Sequence, residues 1–124
     1  MVNEYYHSPM DSLYKYLNKA NQLKLKIVAG TDAGSFPWAI NEAKELEYYV
    51  KNAGFSSMDA LKTATVNTAE LLGIDSKLGQ LQKNFIADII AVKGNPLDDI
   101  SLLQHVAFVM KEGKIYKLPG EKNK

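Results

Sequence analysis

The sequence predicts an α/β fold, and three observations support this class. An amphipathic helical stretch precedes a short apolar run at 23–29, which is typical of a buried strand. Two further helical patterns follow this run. The region 75–118 instead carries short segments rich in β-branched and aromatic residues. We therefore divide the chain into an α/β part at 1–74, a small β part at 75–118 and a polar tail at 119–124.

Composition and charge exclude several classes of protein. The chain has 124 residues, 46% hydrophobic and 23% charged, which is ordinary globular composition for one domain. A net charge of +1 gives no basic field for nucleic acid, and no apolar run approaches the ~18 residues of a membrane span. The N-terminus lacks the pattern of a secretory signal. Without cysteine, neither disulfides nor thiolate zinc sites can form. We expect a cytoplasmic chain that has neither nucleic-acid nor membrane partners.

The first helix is predicted from its start signal and its periodicity. Ser8 followed by Pro9 is typical of a helix N-terminus. Apolar residues then recur at spacings of three and four, which predicts one buried face made of Met10, Leu13, Leu17 and Ala20.

A short strand is predicted at Leu25–Ala29, where the last residues are uniformly apolar. This pattern suits a parallel strand that is buried on both faces near its C-terminal end. The strand runs into Gly30, Thr31 and Asp32, and we expect the Asp32 side chain to point out of the strand's end. Two interpretations of Asp32 are open from the residues alone. It is either a turn aspartate that caps the next helix, or a carboxylate presented to chemistry.

Two more helices are predicted in the α/β part. The second has the apolar face Ala43, Leu46, Val50 and Ala53, and is closed by Gly54. The third begins with a capping-box-like pair, Ser56 and Asp59. Its pattern breaks around Asn67 and ends at Gly73.

The β part is predicted to hold three β-rich pieces and a short helix. The pieces are "LGQLQKN", "IADIIAV" and "VAFVMKEGKIYKL", and the last has Glu112–Gly113 as a hairpin turn. Pro96 opens a loop into a short helix that ends near Leu103.

For the other residues that could bind a metal, act in catalysis or contact nucleic acid, we predict structural roles. His7 and His105 have no partner at metal-ligand spacing, so we interpret both as exposed or partly packed. Asp88 is expected to face solvent or to pair locally, and Asp98–Asp99 to cap the short helix. The tyrosines at helical spacing are expected to pack or to form interfaces, since no basic stripe accompanies them: Tyr5, Tyr6, Tyr14, Tyr16, Tyr48 and Tyr49.

Four ordered stretches carry a family resemblance. They are "KIVAGTDAG", "AKELEYYVKNAGFSSMDALKTATVNTAELLG", "LGQLQKNFIADIIAVKGNPLDDISLL" and "VAFVMKEGKIYK". Together they resemble the C-terminal end of a metal-dependent amidohydrolase of the imidazolonepropionase-like and Xaa-Pro-dipeptidase-like branch, over residues 9–117. The resemblance implies a (β/α)8 barrel flanked by a small β-sandwich. It also implies one or two divalent metals held by a His-x-His pair, a lysine or glutamate, two further histidines and an aspartate.

Only Asp32 matches a member of that ligand set. The resemblance implies that Asp32 is the aspartate of the eighth strand, which touches the metal and takes the proton from the attacking water. Zinc is the metal that we expect in the parent enzyme. A cation at such a site lowers the pKa of bound water from 15.7 toward ~7, and a nearby carboxylate can move the proton to the leaving nitrogen.

The chain also departs from the family pattern. A complete barrel needs ~250 residues, and no His-x-His occurs in this sequence. Where the family often has a His-Gly pair, the chain has Pro37–Trp38. We therefore interpret the chain as a C-terminal fragment that comprises the last βα unit of the barrel and part of the sandwich.

Two consequences follow from that interpretation. Alone, the chain is expected to bind no metal and to hydrolyse nothing. Its uncovered apolar surface is expected to be buried by self-association or by the missing N-terminal half of the barrel. The alternative is a non-catalytic remnant or association module of amidohydrolase descent.

Overall fold

The computed structural model describes residues 9–31 and 41–120. Four α-helices come first: α1 at Pro9–Gln22, α2 at Lys44–Lys51, α3 at Ser57–Thr63 and α4 at Val66–Leu71. A three-stranded sheet follows, in which a 3-10 helix at Ile100–Gln104 separates the first two strands. The strands are β1 at Ile89–Val92, β2 at Val106–Lys111 and β3 at Lys114–Lys117. Among the described residues, no helix is long and apolar enough to cross a membrane.

The sheet is antiparallel, with the strand order β1-β2-β3. The predicted hairpin is confirmed, because Glu112 and Gly113 connect β2 to β3. Both residues have positive φ, 52° and 78°, as the tight turns that match the twist of paired strands require.

The core lies where α2 packs against α3 and the 3-10 helix. Tyr49 and Phe55 stack at its centre, with ring centroids 5.2 Å apart. The buried members of this cluster are Leu46, Tyr49, Ala53, Phe55, Ala60, Ile100 and Leu103.

Helix α1 confirms the predicted helix and part of its predicted buried face, since Leu17 and Ala20 are partly buried. Tyr14 and Leu17 pack against the core, whereas Leu13 is 47% exposed. The Asn18 side chain donates to the Ala53 carbonyl oxygen at 2.9 Å. Tyr14, Leu17 and Asn18 share one face of α1 at helical spacing, and this face lies toward the core while Leu13 is exposed.

The next helices follow their local signals. Gly54 follows α2 with φ 68°, and Ser56 caps α3 by accepting the Asp59 N–H at 3.0 Å. The predicted third helix is two helices, since the chain leaves helical geometry at Thr65. Gly73 ends α4 with φ 67°, as expected.

Two predicted β segments are wrong. No residue from Leu23 to Thr31 belongs to a sheet, so the strand at Leu25–Ala29 is not formed. A strand exists only with a paired neighbour, and this segment bonds to the helices instead. The piece "LGQLQKN" forms turns, because Gly79 and Asn84 adopt positive φ, which interrupts extended backbone.

Candidate active site

Asp32 lies outside the described residues, as does His7, so their predicted placements stay predictions. The structure does describe both flanks of the Asp32 segment, which are Gly30–Thr31 before it and Asn41 after it. The geometry of these two flanks therefore defines the surroundings of the candidate site.

The flank before Asp32 is tied to the junction between α3 and α4. The Ala29 N–H donates to the Thr63 carbonyl oxygen at 3.0 Å. The Asn67 side-chain amide donates to the Ile27 carbonyl oxygen at 2.8 Å. Two long-range bonds thus hold the backbone that leads into Asp32.

The flank after Asp32 is tied to the 3-10 helix of the β part. Asn41 donates through its side-chain amide to the Gln104 carbonyl oxygen at 2.8 Å, and accepts the Ala43 N–H at 2.9 Å. The Gln104 side chain in turn donates to Glu47 at 2.7 Å. Hydrogen bonds from Lys51 and then Gln104 lower the pKa of Glu47, so its carboxylate stays charged at neutral pH.

A cavity of about 510 Å³ adjoins both flanks. Thr31 and Asn41 contribute polar groups to its wall. The rest of the wall is largely apolar and comes from both parts of the chain, including Leu46, Leu61, Ile90, Leu103 and Val106. A mostly apolar cleft with a few polar groups is the usual form of a small-molecule site.

Glu45 also lines this cavity and is bound by Tyr49. The Tyr49 hydroxyl donates to one Glu45 carboxylate oxygen, while the other oxygen is buried without a hydrogen-bond partner among the described residues. Burial first, and then the bond to Glu45, raise the pKa of Tyr49, so the phenol stays protonated.

Of the other described acidic and histidine candidates, Asp98 departs from its prediction, because it accepts from the Asn95 side-chain amide at 2.9 Å while Asp99 caps the 3-10 helix. The rest behave as the sequence predicts. His105 is exposed at the end of the 3-10 helix. Asp88 accepts the Glu112 N–H at 2.7 Å and pairs with Lys111, and Asp99 caps the 3-10 helix through the Ser101 N–H. Hydrogen bonds from Ser101 lower the pKa of Asp99.

Three of the described tyrosines in the predicted set take packing roles, and Tyr16 does not. Tyr49 is in the core, and the rings of Tyr14 and Tyr48 lie 6.4 Å apart between α1 and α2. Tyr16 is exposed, and Tyr5 and Tyr6 lie outside the described residues.

The described residues do not form a metal site. Within 9–31 and 41–120, no three histidine, aspartate or glutamate side chains come together in a way that could hold an ion. A divalent metal therefore does not fit this part of the chain without further ligands.

Sequence reasoning missed the residues that hold the two flanks. Asn41 and Asn67 carry no periodic or motif signal for this role, and their partners lie 63 and 40 residues away. The one available signal was the interrupted helical pattern around Asn67, which marks where backbone groups are released.

Comparison with known proteins identifies related chains. The amidohydrolase family model matches residues 10–117. Ochratoxinase of Aspergillus niger is 37% identical over 115 residues, which are 89% of this chain and 23% of that protein. The chain thus spans about a quarter of the length of the curated relatives that it matches.

Solved structures give the same picture. A Xaa-Pro dipeptidase with methionine bound in its active site superposes with a TM-score of 0.79 at 43% identity, over 85% of this chain and 25% of the other. The crystal structure of the A. niger ochratoxinase superposes with a TM-score of 0.76 at 35% identity, over 89% of this chain and 26% of the other.

Proposed function

The chain belongs to the amidohydrolase family, and from this membership we propose that it is the C-terminal part of a metal-dependent hydrolase of amide or peptide C–N bonds. The observation that carries the proposal is the match across residues 10–117, which includes the whole run from Ile27 to Asp32. A Xaa-Pro dipeptidase among the similar structures supports a peptide-like bond as the target.

In this proposal, residues 1–74 are the last βα unit of a (β/α)8 barrel and 75–118 are part of the flanking β-sandwich. The antiparallel sheet of β1, β2 and β3 supports the second assignment. The apolar run at Leu25–Ala29 supports the first, because it has the composition of a barrel strand and lacks strand neighbours among the described residues.

Asp32 is the residue to which we assign the chemistry. Its carboxylate would be one metal ligand and would accept the proton of the attacking water before passing it to the leaving nitrogen. The metal would lower the pKa of that water, so that hydroxide would be available as the nucleophile at neutral pH. Since catalytic zinc sites use about three protein ligands, the others must come from outside residues 9–31 and 41–120.

The test is a chimera in which this chain replaces the matching quarter of A. niger ochratoxinase. We expect metal-dependent hydrolysis of that enzyme's own substrate. Replacing Asp32 by Asn should lower kcat by roughly 10²–10⁴-fold, the usual contribution of a positioned acid or base. Asp75→Asn is the matched control, because Asp75 is an exposed loop carboxylate. An active chimera that keeps its kcat after Asp32→Asn would refute the assignment.

The alternative is a non-catalytic remnant or association module, and the lack of a His-x-His pair in the sequence favours it for the chain alone. We expect the purified chain to show no hydrolysis of aminoacyl-proline dipeptides with zinc, manganese or cobalt. Metal-dependent turnover that Asp32→Ala abolishes would contradict this.

Translation of the DNA upstream of the chain distinguishes the two proposed functions. A hydrolase requires His-x-His and the remaining metal ligands in that upstream sequence, whereas a remnant does not.

A further inference from the structure

The break between α3 and α4 releases a backbone acceptor. In an unbroken helix the Asn67 N–H would bond to the Thr63 carbonyl, four residues earlier. Here α3 ends at Thr63 and α4 begins at Val66, with Thr65 at φ −128° and ψ −93°. The Thr63 carbonyl oxygen is therefore available to other donors.

The released carbonyl and the Asn67 side chain both bind the segment before Asp32. Thr63 accepts from the Ala29 N–H at 3.0 Å and from the Thr68 hydroxyl at 2.6 Å. Asn67 donates to the Ile27 carbonyl at 2.8 Å. Groups on residues two apart lie on the same edge of an extended segment, so the junction holds one edge of this segment at two points.

The loop after α4 supports the junction from another side. Gly79 has φ 91°, and a Cβ at this position would lie 3.1 Å from the Thr65 carbonyl oxygen and 2.7 Å from the Ala69 Cβ. Only glycine lets the loop approach so closely. Thr63 itself is 1% exposed. The break is thus enclosed by packed structure, as expected of a helix interruption that has a role.

We propose that the α3–α4 break positions the active-site segment, with Asn67 as the positioning residue. Together with the Thr63 carbonyl, Asn67 holds the backbone of Ile27–Ala29 and sets where the chain enters Asp32. The importance for catalysis rests on the proposed function of Asp32. Displacement of a reacting group by about 1 Å can cost ~10²-fold in rate, so such an anchor is a sensitive point.

The first measurement is amide hydrogen exchange in the 124-residue chain, followed by NMR. Asn67→Asp keeps the shape of the side chain but removes its N–H donor. Asn67→Ala removes the donor and the rest of the side chain beyond Cβ. In each variant we expect the protection of the Ala29 amide to fall about tenfold, because the loss of the partly buried Asn67–Ile27 bond loosens the segment that carries Ala29. Asn52→Ala is the control, since Asn52 is exposed at the end of α2.

Comparison with a remote amide separates positioning from general destabilisation. The Val109 amide in β2 should keep its protection in the Asn67 variants. The proposal is overturned if the Ala29 amide is unprotected in the natural chain, if its protection is unchanged, or if Ala29 and Val109 lose protection equally.

The second measurement reports on Asp32 directly. The carboxyl-carbon chemical shift of Asp32 should change in Asn67→Ala and stay unchanged in Asn52→Ala. An unchanged Asp32 resonance would show that Asn67 has only a local structural role, and would refute the positioning role. Neither measurement needs metal or turnover, so failure of the hydrolase proposal and failure of this one are distinguishable.

Discussion

At the scale of single residues, Thr63 makes both local and long-range hydrogen bonds. Its hydroxyl donates to the Ala60 carbonyl at 2.7 Å, so no polar atom of this buried side chain is left unpaired. Its own carbonyl binds Ala29 and Thr68. A residue with local and long-range bonds of this kind couples helix geometry to the position of a distant segment.

Gly79→Ala should destabilise the chain by ~1–3 kcal/mol, the typical cost of overpacking. The new methyl group would press on the Thr65 carbonyl and on Ala69, at a residue with φ 91°. Urea unfolding measures the change. Gly113→Ala is the control, because Gly113 has φ 78° but nothing within 4 Å of its would-be Cβ, so it isolates the backbone cost. Equal losses in the two variants would contradict the predicted clash.

Tyr49 should make stability depend on pH in the alkaline range. Its pKa is 10.0 when unperturbed and is raised in the folded chain, so the unfolded chain loses the phenolic proton first. Stability is therefore full below about pH 10 and falls as pH rises, by up to ~1.4 kcal/mol per pH unit.

The difference between the natural chain and Tyr49→Phe isolates this effect from the lysines. Urea unfolding from pH 8 to 11 should show a steeper loss of stability in the natural chain. Tyr116→Phe serves as the control, since Tyr116 is 61% exposed. If the free energy of unfolding fell equally with pH in the natural chain and in Tyr49→Phe, the pKa of the Tyr49 phenol would be the same in the folded and unfolded states, and the prediction would be wrong.

At the scale of elements, α2 joins the two parts of the chain. It packs on α3 and on the 3-10 helix, and the Gln104–Glu47 bond links its polar face to the β part. The Asn41 loop that precedes α2 is held by the same 3-10 helix. The flank after Asp32 therefore depends on an element that is far away in sequence.

The β2–β3 hairpin offers an element-scale prediction. Its turn has φ 52° at Glu112, a conformation that asparagine adopts more readily than glutamate. Glu112→Asn should raise the free energy of unfolding by ~0.5–1 kcal/mol, because it relieves backbone strain. The Asp88 bond to the residue-112 N–H is kept.

Thermal unfolding measures this change. Lys114→Asn, in the adjacent strand, should not stabilise the chain, because asparagine is depleted in strands. A Glu112→Asn chain that melts at or below the natural temperature would show that the turn carries no relievable strain.

At the scale of the whole molecule, apolar surface is left open around α1 and the segment after it. Tyr16 is 73% exposed, and Leu23 and Leu25 are each 59% exposed. Adjacent backbone at Leu25–Ala29 lacks strand neighbours in the described part of the chain. At ~25 cal/mol per Å², a few hundred Å² of such surface costs several kcal/mol, which is comparable with the stability of a small domain.

We predict that the chain self-associates unless the rest of a barrel covers this surface. Light scattering after size exclusion should give a mass above 13.8 kDa at micromolar concentration. Leu25→Ser should weaken the association. Leu81→Ser is the control, since Leu81 is 82% exposed but lies in the loop after α4. A monodisperse monomer with a cooperative melt would refute the prediction.

The sequence by itself determined the features that depend on neighbours a few residues apart. Ser56 and Asp59 predicted the start of α3, Glu112–Gly113 predicted the hairpin, and the ordered stretches predicted the amidohydrolase family, which the comparisons confirm. Such signals are readable because caps and turns are closed by bonds between residues two to four positions apart.

Only the tertiary structure decided what happens to Leu25–Ala29 and which residues hold the candidate site. The apolar run was a sound strand signal, yet a strand requires a partner, and the bonds of Ile27 and Ala29 go to Asn67 and Thr63. The Asn41–Gln104 bond likewise joins residues 63 positions apart. Sequence spacing does not encode such pairs, because they form only when packing has brought the donors and acceptors of distant elements within hydrogen-bond distance.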